Sequence, residues 1–106
     1  MYYVVFFTTR YASLDEVFSK APELISAHLA RSNEFHARGA LLMAGAFHNK
    51  PEEPLGTMGI FTTRDAAEEF ARGDPFLLNG MVSDWRIREW TDLFARPTGS
   101  ASAINT

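Results

Sequence analysis

The run Tyr2-Tyr3-Val4-Val5-Phe6-Phe7-Thr8-Thr9 limits the possible folds more than any other stretch of this chain. Every residue in it is aromatic or β-branched, which reads as a strand. Alternation sends Tyr3, Val5 and Phe7 to one side and Tyr2, Val4 and Phe6 to the other. Neither side is polar, so both need cover. Helices can cover one, and a second subunit the other. The run lacks a basic leader and is too short to span a bilayer, so a soluble cytoplasmic protein is expected.

The rest of the chain supplies the helices. Ser13-Leu14-Asp15-Glu16 fits a capping box, with Ser13 as N-cap, and predicts a short helix to about Ser19. Pro22 then either opens a new helix at its first turn or kinks a continuing one. Leu24, Ile25, His28, Leu29, Ser32, Phe35 and His36 recur at helical spacing, with Glu23, Ala27, Ala30, Arg31, Glu34 and Arg38 opposite. Gly39 fits the position just past the helix end. Ala40 to Phe47 reads as a second strand, whose Gly45 marks either a bulge or a close backbone approach. A polar loop over 48–56 leads to a third strand, Leu55 to Thr62, and a connection of that length fits an antiparallel pair. Thr62 or Thr63 caps a helix with the stripe Ala66, Ala67, Phe70 and Ala71, ended by Gly73. Met81 to Trp90 is the fourth strand.

The order is β-α-β-β-α-β. This is the ferredoxin-like α+β arrangement, two split βαβ halves sharing one four-stranded antiparallel sheet with helices on one face. A length of 106 residues fits one domain. It is placed at residues 1–96, with the small, polar segment 97–106 as a disordered tail. Nine phenylalanines, three tyrosines and two tryptophans are many for one core of this size, which favours a homodimer.

Charge and composition narrow the function. The net charge is −3 and the ten Lys and Arg residues are scattered, so no basic footprint for nucleic acid or membrane is present. There is no cysteine, hence no disulfide framework and no thiolate metal site. The three histidines lack metal-ligand spacing: His28 and His36 are two turns apart, and His48 opens a loop. No metal or cofactor is expected.

Two residues stand out as chemical candidates. His28 falls inside the apolar stripe of its helix, between Leu24, Leu29 and Phe35. A histidine at a cavity edge suits proton transfer near neutral pH, and a core histidine tied to a carbonyl is the plainer alternative. Asp74 precedes Pro75 and so sits at a helix break. It is either a turn or cap residue, or the carboxylate that orients His28. Arg10, at the end of the first strand, can meet an acidic substrate group or stand solvated. Phe47 and Phe76 can line a cavity or simply pack the core.

The combination of His28-Leu29, Gly39-Ala40-Leu41-Leu42-Met43-Ala44-Gly45, an alanine-rich helix leading to Asp74-Pro75-Phe76, Gly80 and a final strand ending at Trp90 resembles the YciI-like family. The resemblance runs through nearly the whole chain to about Trp90. It implies a ferredoxin-like fold that pairs into a dimeric α+β barrel similar to muconolactone isomerases, with the helix histidine and the Asp-Pro-Phe aspartate as the active-site pair. Those positions are His28 and Asp74 here. The family includes a dehydrochlorinase acting on a chlorinated hydroxyquinol. Ala46 stands where the family often has proline, and the segment from Ser13 to Ala21 is not a core family feature; both bear on substrate identity.

The resulting expectation is a cofactor-free enzyme that moves a proton on a small cyclic or aromatic metabolite, as an isomerase or dehydrochlorinase-like lyase. His28 and Asp74 are catalytic, and Arg10, Phe47 and Phe76 bind substrate. The alternative is a non-catalytic dimeric module for a small ligand or an accessory role. A haem or oxygen-handling relative has only the fold in its favour.

Overall fold

In a computed structural model of the protein, which describes residues 1–94, the opening apolar run is strand β1 (Tyr2–Thr9) at an interior position of the sheet. The proposed domain boundary at 96 and the tail 97–106 lie outside the described residues. After β1 come α1 (Leu14–Lys20), α2 (Pro22–Ala37), β2 (Leu41–Ala46), β3 (Gly56–Phe61), α3 (Arg64–Arg72), α4 (Pro75–Leu78) and β4 (Val82–Trp90). The sheet order is β2-β3-β1-β4, antiparallel throughout. Each helical crossover therefore skips one strand position, as the ferredoxin-like arrangement requires.

Local chemistry sets the helix ends. Ser13 accepts from the Glu16 backbone N–H at 3.1 Å, while the Glu16 carboxylate reaches back to the N–H of Ala12 at 3.2 Å, one residue earlier than a capping box would have it. Pro22 opens a separate helix at its first turn, with Ala21 as the N-cap. Thr63, rather than Thr62, caps α3, accepting from Ala66 N–H at 3.1 Å. Helix α2 ends in a Schellman motif: Gly39 N–H donates to His36 and Ala40 N–H to Phe35, with Gly39 at φ 78°. Helix α4 ends the same way through Gly80 at φ 75°.

The sheet buries its two faces differently. Tyr3, Val5 and Phe7 lie under the helices, in register with Phe61 and Gly59 of β3 and with Ile87 and Trp85 of β4. Phe35 from α2, Phe61 from β3 and Phe70 from α3 meet there, with ring centroids 5.0 to 6.2 Å apart. Such tilted and edge-on contacts add specific geometry to the area buried. The opposite face carries Tyr2, Val4 and Phe6. Val4 is buried, Phe6 sits under the Arg86 guanidinium at 4.9 Å, and Tyr2 packs on Trp90. Arginine stems and heads thus cover part of this face without a helix. Gly45 marks neither a bulge nor a close approach: an added Cβ would meet nothing within 4 Å, and the β2 irregularity falls between Leu41 and Met43.

Among the described residues no helix is long and apolar enough to cross a membrane.

Candidate active site

Asp74 links the end of α3 to α4. It takes the extended backbone (φ −64°, ψ 132°) that the following Pro75 favours, and Pro75 fills the first helical position. One carboxylate oxygen, Oδ2, accepts from the backbone N–H groups of Phe76 at 2.9 Å and Leu77 at 3.4 Å. This is N-cap chemistry. The other oxygen, Oδ1, lies 2.5 Å from Nδ1 of His28, 46 residues away in the chain. Asp74 is therefore a cap and a histidine partner at once, one oxygen for each. Its side chain has no solvent exposure, so both roles also satisfy lone pairs that burial would otherwise leave costly.

His28 is held on three sides. Phe70 packs against the ring at a centroid distance of 5.8 Å and Phe76 at 5.5 Å. A carboxylate only accepts, so the contact with Asp74 places a proton on Nδ1. Nε2 is then the ring nitrogen left for chemistry. The backbone of α2 is positioned one turn further on. Arg31 Nη1 donates to the Phe70 carbonyl at 2.9 Å and Nη2 to the Glu69 carbonyl at 3.0 Å. The guanidinium also lies over the rings of Phe35 and Phe70. It thereby ties α2 to the C-terminal turn of α3, just before Asp74. Gly73 makes room for this clamp, since a Cβ there would lie 2.6 Å from Arg31 Nη2.

Between α1, α2 and the sheet is an open cavity of about 610 Å³, within the range of small-molecule sites. Its walls are mainly apolar, from Val5, Phe7, Ile25, Leu41, Phe70 and Phe76. His28, Tyr11, Ser32, Asn33 and His36 line it as well. Leu14, Phe18, Leu29 and Leu42 line it while remaining more than two-fifths exposed.

The structure brings together three of the five residues singled out from the sequence: His28, Asp74 and Phe76. Arg10 and Phe47 are placed elsewhere. Arg10 is exposed and spends its Nε–H on the Gly80 carbonyl at 3.1 Å, beyond the end of α4. Phe47 N–H pairs with the Gly56 carbonyl and its ring lies against Gly56, outside the lining of the cavity. Its neighbour Ala46 does line the cavity. Arg31 and Tyr11 were not legible as site residues. Arg31 looks solvent-facing on a helical wheel; its spacing three after His28 and four before Phe35 is the only hint. Tyr11 is a large aromatic in an otherwise small, polar turn. Among the described residues no three His, Asp or Glu side chains gather as a metal-ligand set.

A buried carboxylate fixing a histidine at the wall of a cavity, on a split βαβ sheet, defines a small α+β protein of ferredoxin-like fold. The chain belongs to the family of the YCII-related domain, whose model matches residues 1–91. No curated protein matches it. Among solved structures it is similar to 5-chloro-2-hydroxyhydroquinone dehydrochlorinase from Burkholderia phenoliruptrix AC1100, determined in complex with 2,5-dihydroxybenzoquinone. That match has 19% identity and a TM-score of 0.61, covering 86% of this chain and 94% of that one. It is also similar to a conserved protein from Methanosarcina mazei Go1 (14% identity, TM-score 0.55, 86% and 94% coverage) and to a protein, Rv0793, from Mycobacterium tuberculosis (12%, 0.51, 86% and 94%). These likenesses establish the shared fold.

Proposed function

We propose that this protein is a cofactor-free enzyme that moves a proton on a small cyclic or aromatic metabolite, with His28 as the acid–base group and Asp74 as its positioning partner. The observation that carries the reading is the 2.5 Å contact between His28 Nδ1 and a fully buried carboxylate, at the wall of an open, mainly apolar cavity with room for a small ring compound. Nε2 takes a proton from the substrate, Asp74 balances the imidazolium that forms, and the electron pair shifts within the ring. The proton then returns at another carbon, giving isomerisation, or a leaving group departs. For a chlorinated, hydroxylated ring the proton returns to the chlorine-bearing carbon, a second hydroxyl then gives up its proton as the C–Cl electron pair leaves with chloride, and the net loss is HCl. Positioned acid–base groups contribute about a hundredfold to ten-thousandfold in rate. The chemistry of the dehydrochlorinase with the same fold supports the elimination branch.

We further propose that two copies pair through the outer face of the sheet. Met43, Phe47 and Trp90 remain exposed there, at 69%, 50% and 48%. Sedimentation equilibrium reads this directly; a monomer at micromolar concentration rejects it.

The activity test uses 5-chloro-2-hydroxyhydroquinone, followed by chloride release, and a panel of hydroxylated ring compounds followed by absorbance. His28→Ala and Asp74→Asn should each lower turnover of any accepted compound at least a hundredfold. Undiminished turnover in both variants removes the proposed pair. A ligand bound but left unchanged by the wild type favours the non-catalytic ligand-binding module.

A further inference from the structure

Tyr11 is 5% exposed, yet its hydroxyl has no hydrogen-bond partner among the described residues. Buried tyrosine hydroxyls usually find one. No fully occluded side-chain oxygen or nitrogen in the described structure lacks a partner, so the Tyr11 oxygen must reach open space. The space Tyr11 lines is the cavity. The rest of the residue is fixed. Its backbone N–H donates to Thr9 Oγ1 at 3.2 Å and its carbonyl accepts from Leu55 N–H at 2.9 Å. Its ring meets Phe76 edge-on at 5.9 Å, and Phe76 is the same ring that packs on His28 at 5.5 Å. His28 and Tyr11 thus flank one phenyl group and line one apolar cavity. A phenol held this rigidly costs little to reorganise when it donates to a ligand oxygen.

We propose that the Tyr11 hydroxyl is a substrate-binding group of the His28–Asp74 site, donating a hydrogen bond to a ring hydroxyl oxygen, or to its oxyanion, on a hydroxylated benzene or quinone. This deepens the acid–base reading and rests on it. The substrate class follows from the two groups. The ring fills the apolar cavity, one oxygen accepts from Tyr11, and the reacting proton faces His28 Nε2. The phenol keeps its proton throughout.

The test compares calorimetric binding of 2,5-dihydroxybenzoquinone and 2,5-dimethylbenzoquinone to the full chain, to Tyr11→Phe and to His28→Ala. The dimethyl compound has the same shape without the hydroxyl oxygens. Tyr11→Phe should weaken the dihydroxy compound about tenfold or more, as a lost hydrogen bond to a charged oxygen does. It should leave the dimethyl compound within about twofold and the melting temperature unchanged, because no protein partner is lost. Unchanged dihydroxy binding in Tyr11→Phe, with weakened binding in His28→Ala, overturns the Tyr11 assignment alone. A melting temperature lowered by several degrees in Tyr11→Phe overturns it by showing a structural bond. Failure of the wild type to bind the dihydroxy compound overturns the substrate class and the Tyr11 role, and leaves the His28–Asp74 proposal to its own variants.

Discussion

Helix α3 lies between two N-caps that do the same local job and differ in everything else. Thr63, before it, caps α3 with one hydroxyl and is exposed. Asp74, after it, caps α4, is fully buried, and shares its carboxylate with a histidine on another helix. Replacing a hydroxyl cap removes one local bond. Replacing Asp74 removes a cap, strips a partner from His28 and empties a buried position. A short capping side chain becomes a functional group when burial forces each of its lone pairs to find a partner and the fold presents a ring nitrogen to the second oxygen.

The comparison breaks most visibly at Asp74→Ala. Loss of the cap and of the buried partner together should destabilise the fold by about 3 kcal/mol, measured by urea unfolding. A loss no larger than that of an ordinary cap would mean that the His28 contact contributes nothing to stability. Asp74→Asn separates the two roles. Its amide oxygen can still accept from Phe76 N–H, so the stability loss should fall to about 1–2 kcal/mol, while His28 loses its anionic partner. Turnover should then drop far more than stability. Thr63→Ala should cost about 1 kcal/mol, with ligand binding and turnover unchanged; a change in either would make the two caps alike. The smallest effect is expected at Gly73→Ala. The new methyl pushes on the far end of Arg31, so the cost should be about 0.5–1 kcal/mol, set by the hydrogen bonds the guanidinium gives up. In an Arg31→Ala background the same change should cost nearly nothing, and a double-mutant cycle measures the difference.

Much of the fold was readable because its signals are local. Ser13, Pro22, Gly39 and Gly73 announce helix ends within three or four residues of where they act, and strand β1 carries its own pattern. Thr62 against Thr63, and Pro22 as a start against a kink, stayed open because adjacent residues satisfy the same local rule. The site was readable only in part. Residue patterns offered His28 and Asp74 as separate candidates, each with a plainer explanation; the family resemblance joined them. The place of Phe47 is not legible in the sequence, because the second strand has apolar or small residues on both faces and no local signal says which of them meet the cavity. Arg10 was judged by charge, while its partner, the Gly80 carbonyl, lies 70 residues away. Arg31 and Tyr11 were missed for the same reason.

The amino-acid sequence by itself determined the order of elements, the caps, and the apolar stripes, because propensity, capping and periodicity act over a few neighbouring residues. Tertiary structure alone decided that one oxygen of Asp74 would cap α4 while the other met His28, that Arg31 would hold α2 against the end of α3, and that Tyr11 would line the same cavity as His28. Each of these pairs residues far apart in the chain, and only the packing of α2 and α3 on the sheet brings them within hydrogen-bonding or van der Waals distance.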